Sequence, residues 1–182
     1  MNDIIKKAEL FVIDIFNTSL PESYVYHNYA HTRYVAKKVK EISKAEKISD
    51  DEKETVVLAA WFHDLGYIDG KKGHEQRSAE MATQFLKDHN YPNEKTAAVI
   101  SCIKATDFNT TPETLLHQII RDADTAHFAE EDYPNYSKML KTECEIINKC
   151  NLSKSEWNAG NIRVFNNHKY FTPYANATWL AA

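Results

Sequence analysis

The run Thr55-Val56-Val57-Leu58-Ala59-Ala60-Trp61-Phe62 is apolar at every position after its first, and it leads directly into His63-Asp64. A helix that is apolar all round has to be enclosed by other elements. Its polar continuation is therefore carried to the centre of the protein. Gly66, Gly70 and Gly73 follow at once, and they license a tight, irregular loop at that buried helix end.

Those three are most of the glycine the chain has, 4 residues in 182. Neither G-x-x-x-x-G-K-[ST] nor G-x-G-x-x-G can be written, so the glycine-rich phosphate cradles of P-loop and Rossmann proteins are excluded. A many-stranded barrel or sandwich would also need more glycine in its turns. Helical periodicity recurs over residues 3–17, 28–46, 50–64, 75–89, 93–106, 112–128, 134–148 and 153–165, and strict alternation appears in none of them. Start signals fall at Ser49/Asp50, Pro92-Asn93, Pro112, Pro134 and Ser153 or Ser155. We find no repeat, low-complexity tract or linker. The expectation is an all-α, single-domain bundle over residues 1–182, of about eight helices. The segment 170–180 reads as the start of a further helix without a cap, which suggests that the chain is the N-terminal part of a longer parent.

A net charge of −4 provides no global basic field, so a nucleic acid polymer is not an expected partner. No apolar run approaches the ~18 residues of a membrane span. Cys102, Cys144 and Cys150 are odd in number and lack a C-x-x-C spacing, which fits reduced thiols in a cytoplasmic protein. Homo-oligomerisation stays open at this level.

The chemistry lies in three places. His27 and His31 are four residues apart and continue into Val35, Val39 and Ile42, so both imidazoles share the inward stripe of the second helix. His63-Asp64 ends the enclosed helix. Asp122-Ala123-Asp124 puts two carboxylates into an otherwise apolar helix carrying Leu115, Leu116, Ile119 and Ile120. A buried carboxylate is costly unless paired or metal-bound. Any one of these histidines alone would be an ordinary core residue. Together they supply imidazole and carboxylate ligands for a divalent ion of the Mn, Fe, Co, Ni or Zn kind, or Mg. Spacing does not choose between Asp122 and Asp124, which fall on opposite shoulders of the apolar arc.

His31, His63-Asp64 and a downstream Asp, in that order, resemble the HD superfamily of metal-dependent phosphohydrolases. Tyr26-His27-Asn28-x-x-His31 is similar to a Y-H-N-x-x-H signature found there. His63-Asp64-Leu65-Gly66-Tyr67, His74-Glu75-Gln76-Arg77-Ser78-Ala79, Ala105-Thr106 and Asp122-Ala123-Asp124 match a subgroup of small HD proteins. The resemblance implies metal ligands His31, His63, Asp64 and Asp124, with Asp122 ion-paired or supporting them. It implies His27 as proton donor, Asp64 as a residue that can orient or deprotonate water, and Glu75 positioning His27, water or a second ion. His74 is the candidate for a second ion. The stretch 103–107 lacks the further histidine of two-metal relatives, so one tightly held ion is expected. Lys71, Lys72, Lys104 and Tyr67 are candidate substrate contacts, and His127 is expected to pack or cap. The implied reaction is hydrolysis of a small-molecule phosphate, a nucleotide or cyclic nucleotide, by water activated at the metal. A nucleotide-binding sensor domain without turnover is the alternative.

Overall fold

The computed structural model describes residues 3–179, and among them there are nine α-helices and no strand. They are α1 (Asp3–Ser19), α2 (Tyr29–Ala45), α3 (Asp50–Phe62), α4 (His74–Asp88), α5 (Asn93–Lys104), α6 (Leu115–Thr125), α7 (Tyr133–Asn148), α8 (Lys154–Asn167) and α9 (Pro173–Trp179). Short 3-10 helices follow α3 at Leu65–Asp69 and α6 at Ala126–Ala129.

Helix α3 is the axis of the molecule. Ser49 caps it, accepting from the Glu52 amide while the Glu52 carboxylate accepts from the Ser49 amide, a reciprocal capping box. From Glu54 to Phe62 every residue is buried, and α1, α2, α4, α5 and α6 pack around it. Burial of side chains such as Leu58 and Phe62 contributes roughly 1.5–3 kcal/mol each. The enclosed helix expected from its apolar run is thus present, and its C-terminal residues emerge in the middle of the bundle.

The loop after α3 is held by specific close contacts. A Cβ on Gly66 would stand 2.2 Å from the His74 carbonyl oxygen, so only glycine lets the start of α4 approach. The Gly66 amide donates to Ser78 Oγ at 2.8 Å, and Arg77 donates to the carbonyls of Gly66, Lys72 and Gly70. Gly70 and Gly73 take φ of 102° and 72°, in the region that favours glycine.

One helix start differs from the sequence reading, and another is decided between two candidates. Helix α6 begins at Leu115 rather than near Pro112, because the Thr114 side chain accepts from the His117 amide and fixes the cap there. It ends at Thr125, where the Ala126 amide turns to the Ala123 carbonyl and the chain tightens into the 3-10 turn. Of the two candidate caps for α8, Ser153 serves, with Glu156 completing a capping box. The segment after residue 170 does form a helix, α9, which packs against α2; Leu180 lies outside the described residues.

Candidate metal centre

His31 comes from the first turn of α2, which Asn28 caps by accepting from the Ala30 amide at 2.8 Å. His63 and Asp64 come from the buried end of α3, and Asp124 from the last turn of α6. His31 Nε2 lies 3.1 Å from Asp124 Oδ1 and 3.3 Å from Asp64 Oδ2. His63 Nε2 lies 3.2 Å from Asp64 Oδ2 and 3.5 Å from Asp124 Oδ1. His31, His63 and Asp124 form a mutually close set of ligand atoms, with Asp64 beside both imidazoles.

These groups fit a divalent ion. His63 Nδ1 donates to the Ala60 carbonyl at 2.8 Å, which directs Nε2 towards the carboxylates, where it could serve as a metal ligand. His63 Nε2 and Asp64 Oδ2 are nonetheless both buried without a hydrogen-bond partner, because the short distance between them lacks hydrogen-bond direction. Buried polar atoms are rarely left so. Ligands about 2.0–2.2 Å from one ion stand roughly 3.0–3.5 Å apart, which is the separation found here. Two imidazoles with carboxylates suit Mn, Fe, Co, Ni or Zn better than Mg.

The charges are mutually adjusted. Burial disfavours the charged forms of His31 and His63, yet the two aspartates outweigh it and raise both pKa values. Burial likewise opposes ionisation of Asp64 and Asp124, and the histidines beside them hold both well below the ordinary carboxylate range.

The other expected residues fall at differing distances from this centre. His27 lines a cavity that also reaches Asp124. Its Nδ1 pairs with Glu143 Oε1, and its ring stacks on Tyr67 at 4.4 Å and 9°. Tyr67 is therefore covered by a protein imidazole rather than offered to a base. The carboxylate that positions His27 is Glu143 of α7, whereas Glu75 stands 3.3 Å from His74 Nδ1. His74 Nε2 is 3.6 Å from Asp64 Oδ1, at the edge of the cluster, and its Nδ1 is held by the Lys71 carbonyl at 3.0 Å. Lys71 lines the cavity; Lys72 and Lys104 are exposed and are not among its lining residues. His127 packs, with Nδ1 near Tyr26 Oη at 3.1 Å and the Asp124 carbonyl at 3.2 Å.

Asp122 is neither ion-paired nor behind the ligands. It turns away and accepts from the Phe171 amide, the Thr172 amide and the Thr172 hydroxyl at 2.7–2.9 Å, tying the segment before α9 to α6. Burial raises its pKa against those hydrogen bonds.

Glu143 escaped the sequence reading. It is buried, it receives the Tyr26 and His27 amides at 2.8 and 3.0 Å, and these bonds with His27 lower its pKa against the effect of burial. A signal existed: Leu140, Glu143, Cys144 and Ile147 share one helical stripe, and a carboxylate on that stripe needs a partner.

The fold and the centre define an all-α domain built around a His, His-Asp, Asp metal-type cluster. The HD domain family matches residues 28–129, and the chain belongs to that family, whose members are generally hydrolases that bind divalent metals. No curated protein and no solved structure matches the chain. Among the described residues, no helix is long and apolar enough to cross a membrane.

Proposed function

We propose that the protein is a metal-dependent phosphohydrolase that acts on a small phosphate ester, with a nucleotide as substrate. The observation that carries this reading is the convergence of His31, His63, Asp64 and Asp124 with His63 Nε2 and Asp64 Oδ2 left unpartnered. A divalent ion held by these four residues would polarise a phosphoryl oxygen and bring the pKa of water towards ~7. Asp64, beside both imidazoles, orients the attacking water and can take its proton. His27 donates a proton to the leaving oxygen through Nε2, while Glu143 on Nδ1 fixes the direction of the ring. Stacking on Tyr67 limits the ring's other rotation. His74, oriented by the Lys71 carbonyl and beside Glu75, supplies a contact for a phosphoryl oxygen or a weaker second ion. Lys71 on the cavity wall attracts the substrate anion.

Phosphate release is to be measured from nucleotides, cyclic nucleotides and phenyl phosphate with Mn²⁺, Co²⁺ or Ni²⁺ added, beside Asp64→Ala and with metal content determined. The expected result is metal-dependent turnover that Asp64→Ala abolishes. Retained metal and nucleotide binding without turnover would overturn the hydrolase and leave a binding domain.

A further inference from the structure

The cavity that opens at His27 and Asp124 extends well beyond the metal centre, under α8, with a volume of about 830 Å³. That is at the upper end of the usual size for small-molecule sites. The chain as a whole is acidic, with 26 Asp and Glu against 22 Lys and Arg. This cavity reverses the balance: Lys71, Arg121, Arg163 and Lys169 line it, against the single carboxylate of Asp124, which belongs to the metal cluster. None of the four cations has a carboxylate partner among the described residues.

Two of the cations lie against aromatic faces, and the Arg121 guanidinium is in addition held by the carbonyls of Ala105, Asp107 and Thr110. Lys169 Nζ lies 5.4 Å from the Phe171 ring centroid, and the Arg121 guanidinium 5.0 Å from that of Phe108. Such seating holds the Lys169 ammonium in place without neutralising its charge. His127, about nine-tenths buried, and His168 both line the same cavity, and the Nε2 of each is buried without a partner. The wall therefore offers positive charge, apolar rings and unmatched polar atoms; His127 lies beside Asp124, whereas Arg163, His168 and Lys169 belong to α8 and the segment that follows it.

We propose that this part of the cavity is a second anion subsite, in which Arg163 and Lys169 bind an anionic group of the substrate remote from the phosphate being hydrolysed. The substrate class is then a flat aromatic compound bearing two separated anionic groups, such as a nucleoside phosphorylated at two positions. This rests on the hydrolase reading only for which phosphate is cleaved; the subsite itself is a binding property. Both residues lie beyond the stretch matched by the family, residues 28–129, so the specificity belongs to the α8 region of this chain.

The test uses two probes: adenosine monophosphate, and adenosine bisphosphate with phosphates on two ribose hydroxyls. Affinity is read by calorimetry and, where turnover occurs, KM and kcat are read separately. The controls are Lys154→Ala, which removes an α8 charge outside the cavity, and a thermal melt of each variant. We expect the bisphosphate to bind about tenfold or more tightly than the monophosphate, as two charge-assisted contacts imply. The double variant Arg163→Ala/Lys169→Ala should erase that preference through KM, with kcat on the monophosphate and the melting temperature unchanged, while Lys154→Ala keeps it. Equal affinity for the two probes, equal losses on both in the double variant, or no binding of the bisphosphate would overturn the subsite. A preference seen in binding without turnover would sustain it and remove only the hydrolase.

Discussion

At the residue scale, Asp122 and Asp124 are two positions apart and face different neighbours, because two residues along a helix turn by roughly 200°. Asp124 meets the histidines, and Asp122 holds Phe171 and Thr172. Asp124→Asn should therefore lower the metal content of the purified protein, with the fold intact. Asp122→Asn should leave metal content unchanged and cost about 1–3 kcal/mol of stability, since a buried acceptor is replaced by a group that brings unmatched donors. Metal analysis and thermal melts on the two variants separate these outcomes, and interchanged results would reverse the assignment. The His27–Glu143 pair carries a second prediction. His27→Asn should reduce kcat about a hundredfold or more, as loss of a positioned general acid does. Glu143→Gln should reduce it by a smaller factor, on the order of tenfold, because the ring remains but its partner is neutral. Unchanged metal content in both variants is part of the prediction, and a loss of metal in either would place the pair among the ligands' supports.

The elements were largely legible because their determinants are local. Ser49 and Ser153 announce α3 and α8 through caps within three residues, and the apolar run 56–62 announces enclosure without reference to the rest of the chain. Helix α6 was misjudged at its start for the same kind of reason: Pro112 is a generic start signal, and the Thr114 cap lies two residues further on. The cluster was legible where its residues sit on patterned helices, as with His31 and the His63-Asp64 pair. It was not legible where a contact joins elements far apart in the chain, as with Glu143 and His27, separated by 116 residues. Gly66 tests the element scale. Its missing side chain is what lets the α4 start, with His74 and Glu75, reach the centre. Gly66→Ala would force a Cβ onto the His74 carbonyl, a backbone atom that can yield only if α4 moves. The expected cost is about 1–3 kcal/mol, seen as a lower melting temperature together with weaker substrate binding. A variant as stable as the parent would show that α4 does not depend on this approach.

At the scale of the whole molecule, the C-terminal third joins the bundle through aromatic contacts around Phe128 and through a few polar ties. Phe165 lies 5.2 Å from the Phe128 ring and 5.1 Å from that of Tyr133, and the His168 ring packs edge-on against Phe128 at 4.9 Å and Tyr170 at 4.6 Å. Trp157 Nε1 adds a hydrogen bond to Ser137 Oγ at 2.9 Å. Burial, with Arg121 nearby, pushes the His168 pKa down to about 4, against ~6.5 in an unfolded chain. The direction of the linkage follows. Between those two values the unfolded chain holds a proton that the folded chain does not, so this contribution is fully present above about pH 6.5 and is lost as pH falls towards 4. With the ring partly solvated, the loss is on the order of 1 kcal/mol after screening. His31 and His63 act in the opposite sense in metal-free protein, since their raised values favour the folded state at low pH. The contribution of His168 is therefore isolated by difference. In metal-free protein, the change in melting temperature between about pH 7.5 and about pH 5 should be less destabilising in His168→Gln than in the parent by roughly 2–4 °C. Equal changes in the two proteins would show that His168 takes up its proton without leaving its place between Phe128 and Tyr170.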